Sequence, residues 1–212
     1  MESGSTMSEA RAFSGSRRSL MFGRLCWIAV VLSATVVLVG AAVAGVAKKF
    51  NISNTRVVMT HVTIETSTAY QLVTSRLNSE VKWFDESYRK LLKDNQIDEL
   101  RAKLIHGLEP DGFMLHFVAE QGDLSALEGR RQQGNVYYLG NVVAAAQMTK
   151  RNFSAALYAP LRLNVYENAN GGTTFEYDKP STQFGQFRNA DIDKIAQSLN
   201  DRLLDLIKKV ST

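Results

Sequence analysis

The chain has 212 residues, of which 45% are hydrophobic and 22% charged, with only three prolines. That balance excludes wholesale disorder and suits one folded domain behind an N-terminal membrane-related segment. The net charge of +4 is shared with the leader, where Arg11, Arg17, Arg18 and Arg24 outnumber Glu2 and Glu9; no basic run follows, so nucleic acid is not an expected partner.

Residues 1–24 read as a basic, disordered cytoplasmic tail. Leu25 to Ala47, LCWIAVVLSATVVLVGAAVAGVA, carries no charge and reads as a transmembrane helix or signal anchor. At ~1.5 Å per residue it reaches across a hydrocarbon core ~30 Å thick. Ala42-Val43-Ala44 fits a signal-peptide cleavage pattern, but the leader is long and the apolar run exceeds the ~7–15 residues usual for such peptides, which favours an uncleaved anchor. Arginines before the segment against Lys48, Lys49 and Arg56 after it lean toward a cytoplasmic N-terminus and a single-pass protein with an extracytoplasmic domain. On that side of a eukaryotic membrane Asn51-Ile52-Ser53 and Asn152-Phe153-Ser154 are glycan acceptors. The only cysteine, Cys26, lies inside the apolar run, so the folded part has neither a disulfide nor a thiolate metal site.

Residues 48–55 read as a polar linker and 56–212 as the domain. VVMTHVTIE alternates as a first strand, with Val58, Val62 and Ile64 on one side and Met59, His61 and Glu65 on the other. Thr66 or Ser67 then caps a helix carrying Ala69, Leu72, Val73, Leu77 and Val81 at three-and-four spacing. Trp83 to His106 reads as further helix broken near Asp94-Asn95, with Gly107 as its stop. GFMLHFVAEQG gives a second strand and NVYYLG a third, after which Asn141 caps the small helix VVAAAQMTKR.

Leu161 to Glu167 and Thr173 to Tyr177 alternate around Asn170-Gly171-Gly172, which tolerates positive φ, so they form a β-hairpin with Leu161, Leu163, Val165, Phe175 and Tyr177 on its buried face. Pro180 lacks a ladder donor and ends the pairing. Asn189 caps a last helix with an apolar stripe of Ile192, Ile195, Ala196, Leu199, Leu203, Leu206 and Val210.

The run Gly112-Phe113-Met114-Leu115, then Tyr138-Leu139-Gly140-Asn141, then Pro160 with Leu163-Asn164-Val165-Tyr166-Glu167 resembles the family catalogued as domain of unknown function 302. The glycine-rich hairpin, Tyr177-Asp178 with Pro180-Ser181 and the closing helix continue the resemblance from about Val57 to Lys209. It implies an α+β fold with a largely antiparallel sheet and helices on one face, and it implies no established activity. Val142 stands where family members often have proline, and Gln121-Gly122 where many have a histidine.

No H-E-x-x-H, G-x-S-x-G or phosphate-loop motif occurs, and no cofactor is expected. His61 and His116 sit on strands with parities that bring both to the open sheet face, where Arg162, Asn164 and Tyr166 join them as candidate ligand-binding residues. Such a face suits a small-molecule ligand or a second copy of the domain; a solvated face is the ordinary alternative for an antiparallel sheet. An imidazole pair with Glu65 or Glu176 could instead serve a zinc-like ion or a hydrolytic enzyme, although two lone histidines are more often solvated strand residues. Gly140-Asn141 could present amides to an anion, with an N-cap as the plainer reading. The sequence therefore favours a membrane-anchored binding or interaction module over an enzyme.

Overall fold

The computed structural model describes residues 50–109 and 111–212. The expected tail, the 25–47 segment and the start of the linker lie outside them. Thr55–Thr212 forms one unit, and among the described residues no helix is long and apolar enough to cross a membrane.

Six strands form one sheet in the order β1-β6-β5-β4-β3-β2. β1 (His61–Thr66), β6 (Thr173–Asp178), β5 (Leu161–Glu167), β4 (Gly134–Gly140) and β3 (Met114–Ala119) pair antiparallel, and the two-residue β2 (Lys82–Trp83) adds a parallel edge. The fold is thus α+β with a mostly antiparallel mixed sheet. β2 lies where the periodicity predicts helix, because Phe84 N–H donates to Leu115 C=O and draws this segment to the sheet edge.

The register puts Ile64, Phe175, Val165 and, farther along, Leu163 and Tyr137 on one face. The helix Tyr70–Glu80 buries Val73 and Leu77 there, and the long helix Ala190–Ser211 buries Ile192, Ala196, Leu199, Leu203, Leu206 and Val210. The last helix starts where expected: Asn189 Oδ1 accepts from Asp191 N–H and Ile192 N–H, Asp191 and Asp193 occupy the first turn, and Lys208 and Lys209 the last. The first helix departs from expectation, since its N-cap is Ala69 without a side-chain cap. Thr66 Oγ1 and the Thr68 hydroxyl serve instead the turn that precedes it.

The expected break near Asp94-Asn95 separates the helices Glu86–Lys93 and Ile97–Gly107. Asn95 takes φ 56°, the left-handed conformation asparagine tolerates best after glycine. Its N–H donates to Leu92 C=O while Gln96 N–H donates to Leu91 C=O, the paired bonds of a Schellman stop. This helical hairpin corrects the expectation that helices occupy one face alone. Tyr88, Leu91, Leu100 and Leu104 cluster with Phe84 and Met114, whereas Leu115 belongs to the main core. Adjacent strand residues point to opposite faces, so the hairpin, whose apolar stripe needs its own partner, covers the second face at the β3 end.

The 160–181 hairpin closes as its alternation predicts. Asn168 Oδ1 accepts from Asn170 N–H and Gly172 N–H, and Gly171 adopts φ 75°. Gly172 cannot be larger, because a Cβ there would lie 2.1 Å from Thr66 O.

Candidate functional site

β3 carries a register shift between Leu115, opposite Leu139, and Phe117, opposite Tyr138. His116 is the extra residue. A bulge of this kind re-aims a side chain out of the ladder, and here the imidazole stacks on Phe84, with ring centroids 4.9 Å apart. Gly140, the last residue of β4, is what allows the ring to lie against the strand, since a Cβ at that position would come within 2.4 Å of His116 Nε2. That nitrogen is buried and has no hydrogen-bond partner among the described residues. Burial, and then the nearby Arg89 guanidinium, holds the imidazole below its usual 6.5, so it is neutral at physiological pH.

His116 forms part of the wall of a cavity of about 240 Å³ at the end of the sheet. The rest of the wall is mainly apolar, from Phe113 just before β3, Leu139 and Leu161 on the strands, Val142, Ala145 and Met148 on the helix Val142–Arg151, together with Phe184 and Leu199. Asn141 is the other polar side chain there among the described residues, and its amide is engaged on both sides. Oδ1 accepts from Ala144 N–H and Nδ2 donates to Gly112 C=O, both at 2.8 Å. The expected N-cap role is therefore the one Asn141 has. Among the described residues no charged side chain lines this cavity, and Leu92, 55% exposed, stands at its rim.

The other expected residues lie elsewhere on the second face. His61 Nδ1 is 3.2 Å from Asp178 Oδ1 and its Nε2 is 3.9 Å from Glu176 Oε1. Arg162 Nη2 approaches Asp178 Oδ2 at 3.9 Å, and Asn164 Nδ2 donates to Glu176 Oε2 at 3.2 Å. Tyr166 adjoins them; burial, and then the Glu176 carboxylate, raises its phenol pKa. The structure thus brings His61, Arg162, Asn164 and Tyr166 together around Glu176 and Asp178. It does not bring His116 to His61, because β6, β5 and β4 intervene between β1 and β3. At ~4.8 Å per strand that is roughly 19 Å, far beyond what a shared metal ion or proton transfer allows. The joint use of the two histidines is thereby corrected, and among the described residues no cluster of three or more metal-ligating side chains occurs.

The sequence pattern places Phe84 in a helix and gives no role to it, and it reads Gly140 as the end of the third strand and an anion-site backbone, not as the seat of a histidine ring. The bulge was hidden because Met-Leu-His-Phe-Val is apolar on both parities, so a one-residue slip leaves no mark in the pattern. The one available signal was the glycine closing β4 directly before a capping asparagine.

An α+β domain with a bulged strand and a strand-end cavity is the class of protein defined by this architecture. The family described as Domain of unknown function DUF302 matches residues 89–210, and the chain belongs to it. A crystal structure titled as an uncharacterized conserved protein DUF302 from Bacillus stearothermophilus is similar, with a TM-score of 0.52 and 18% identity, covering 71% of this chain and 97% of that one. At that identity the likeness shows the fold alone. No curated protein matches the chain.

Proposed function

We propose that the chain is a membrane-anchored binding module, held at the bilayer by residues 25–47 with its domain on the extracytoplasmic side, and that it takes a small molecule in the strand-end cavity. The observation carrying this reading is His116 Nε2, buried without a partner on the wall of an otherwise apolar cavity. A concave, apolar site with one or two convergent polar groups is the usual form of a small-molecule pocket. Leaving such a nitrogen unpaired costs about 1–3 kcal/mol, which a ligand that pairs it recovers. Fragment screening by ligand-observed NMR, with the full chain in lipid nanodiscs, tests the proposal. Hits that disappear when Ala145→Phe fills the cavity support it; identical hits with both proteins count against it.

A second reading, an interaction surface, rests on the sheet face. The register aligns Phe117, Tyr138 and Arg162 across β3, β4 and β5, and β1 sets His61 opposite Asp178 on β6. Phe117 is 57% exposed and beside Tyr138, with ring centroids 5.6 Å apart. An aromatic pair beside an arginine is the composition of an interface centre, and a homodimer is the partner it suits. The carboxylates already answer His61 and Arg162 within the chain, which is why the cavity is the preferred site. Sedimentation of the full chain and of Phe117→Lys separates the two: a dimer that the substitution dissociates would favour the face.

A further inference from the structure

We propose that the cavity is built for a neutral, mainly apolar molecule of about ten heavy atoms bearing one hydroxyl group, which hydrogen-bonds to His116 Nε2, as a phenol or a medium-chain alcohol would. The inference rests on the cavity being a ligand site and adds the chemistry of what enters it. Size comes first. A cavity of roughly 150 Å³ accommodates a six-carbon ring, so about 240 Å³ has room for a ring with a short side chain.

Charge comes second. With no charged side chain on the wall among the described residues, an ionised ligand would lose its hydration without a countercharge there, which is far costlier than burying a neutral group. Arg89 lies by Phe84, its Cζ 5.4 Å from that ring's centroid, and is not part of the lining.

The hydroxyl follows from the imidazole. A neutral ring carries its proton on one nitrogen, so Nε2 is either a donor or an acceptor. A hydroxyl serves both cases, whereas a carbonyl or ether oxygen serves only one. A water molecule also serves both, but it needs two to four polar partners. Among the described residues the only other polar side chain on the wall is Asn141, whose Oδ1 already accepts from Ala144 N–H and whose Nδ2 already donates to Gly112 C=O. A molecule that pairs Nε2 once and fills the remaining space with carbon satisfies the site better than water does.

The test uses the full chain in lipid nanodiscs with three probes, 4-propylphenol, propylbenzene and 4-propylbenzoate, titrated by ligand-observed NMR. Discs carrying Ala145→Phe, or the milder Ala145→Leu, give the partition of each probe into lipid. Above that baseline the phenol is expected to bind about tenfold tighter than the hydrocarbon, the worth of one hydrogen bond. The phenol is also expected to move the His116 Nε2 resonance in the wild-type chain. In His116→Phe, which keeps a ring against Phe84, the tenfold preference should vanish while hydrocarbon binding persists. Equal binding of phenol and hydrocarbon by the wild-type chain, or tighter binding of the benzoate, would overturn the ligand class and leave the cavity reading standing. Probes that respond identically to wild-type and to both Ala145 variants would overturn the cavity reading itself.

Discussion

An imidazole edge pressed against a glycine is a tight arrangement, and it makes Gly140 a sensitive residue beside the cavity. A methyl group there would meet His116 Nε2 at 2.4 Å, and the ring cannot retreat far because Phe84 is stacked against it. Gly140→Ala is expected to lose about 1–3 kcal/mol of stability, the usual cost of overpacking, read as a lower urea midpoint with an unchanged slope. His116 also sets a pH dependence. Its native pKa lies below the usual 6.5, so above 6.5 both folded and unfolded chains hold it neutral and its contribution is complete. As pH falls below 6.5 the unfolded chain binds a proton that the folded chain refuses, and stability declines until the native pKa is passed. Urea midpoints taken from pH 7.5 downward should therefore fall more steeply for the wild-type chain than for His116→Phe; parallel curves would contradict the burial of this ring.

At the scale of elements, two helices begin on asparagine caps that differ in what else they hold. Asn189 serves only the first turn of its helix, through Asp191 N–H and Ile192 N–H. Asn141 accepts from Ala144 N–H and in addition donates to Gly112 C=O, so it ties the helix Val142–Arg151 to the segment entering β3. Asn189→Ala should cost about 1 kcal/mol, and Asn141→Ala more, because a carbonyl beside the cavity loses its donor as well. Denaturant titration of the two variants checks the order. Both caps were readable from the sequence, as were five of the six strands, the amphipathic stripes and the stop near Asn95, since each follows from a period or a local bond. Phe84, by contrast, is governed by pairing: β2 exists because a distant strand offers it a partner, and no local pattern encodes that. Likewise parity brought His61 and His116 to one face, but only strand order decides how far apart they stand, and order is a property of the whole sheet.

For the whole molecule the decisive division falls near Thr55. Both described apolar clusters draw on residues from Val62 onward, and the C-terminal helix is tied back to the body by Lys209, which pairs with Glu80 at 2.5 Å and with Asp111 at 3.2 Å. Among the described residues these contacts all lie beyond Thr55, and the task proposed for the apolar run Leu25 to Ala47 is attachment. A chain beginning at Thr55 should therefore keep the thermal midpoint of the full-length protein, within about 2 °C, and keep its response to a cavity ligand. The two proteins should part company in a membrane fraction washed with alkaline carbonate: the full chain stays with the lipid, because about 30 Å of hydrocarbon holds an uncharged helix of that length, and the shortened chain is released. If the shortened chain also resisted extraction, attachment would have to reside in the folded unit, and its exposed Phe153 and Leu157 would be the first surface to substitute with lysine. If instead both chains washed free, the apolar segment would be a cleaved leader, which sequencing of the mature N-terminus would locate after Ala44.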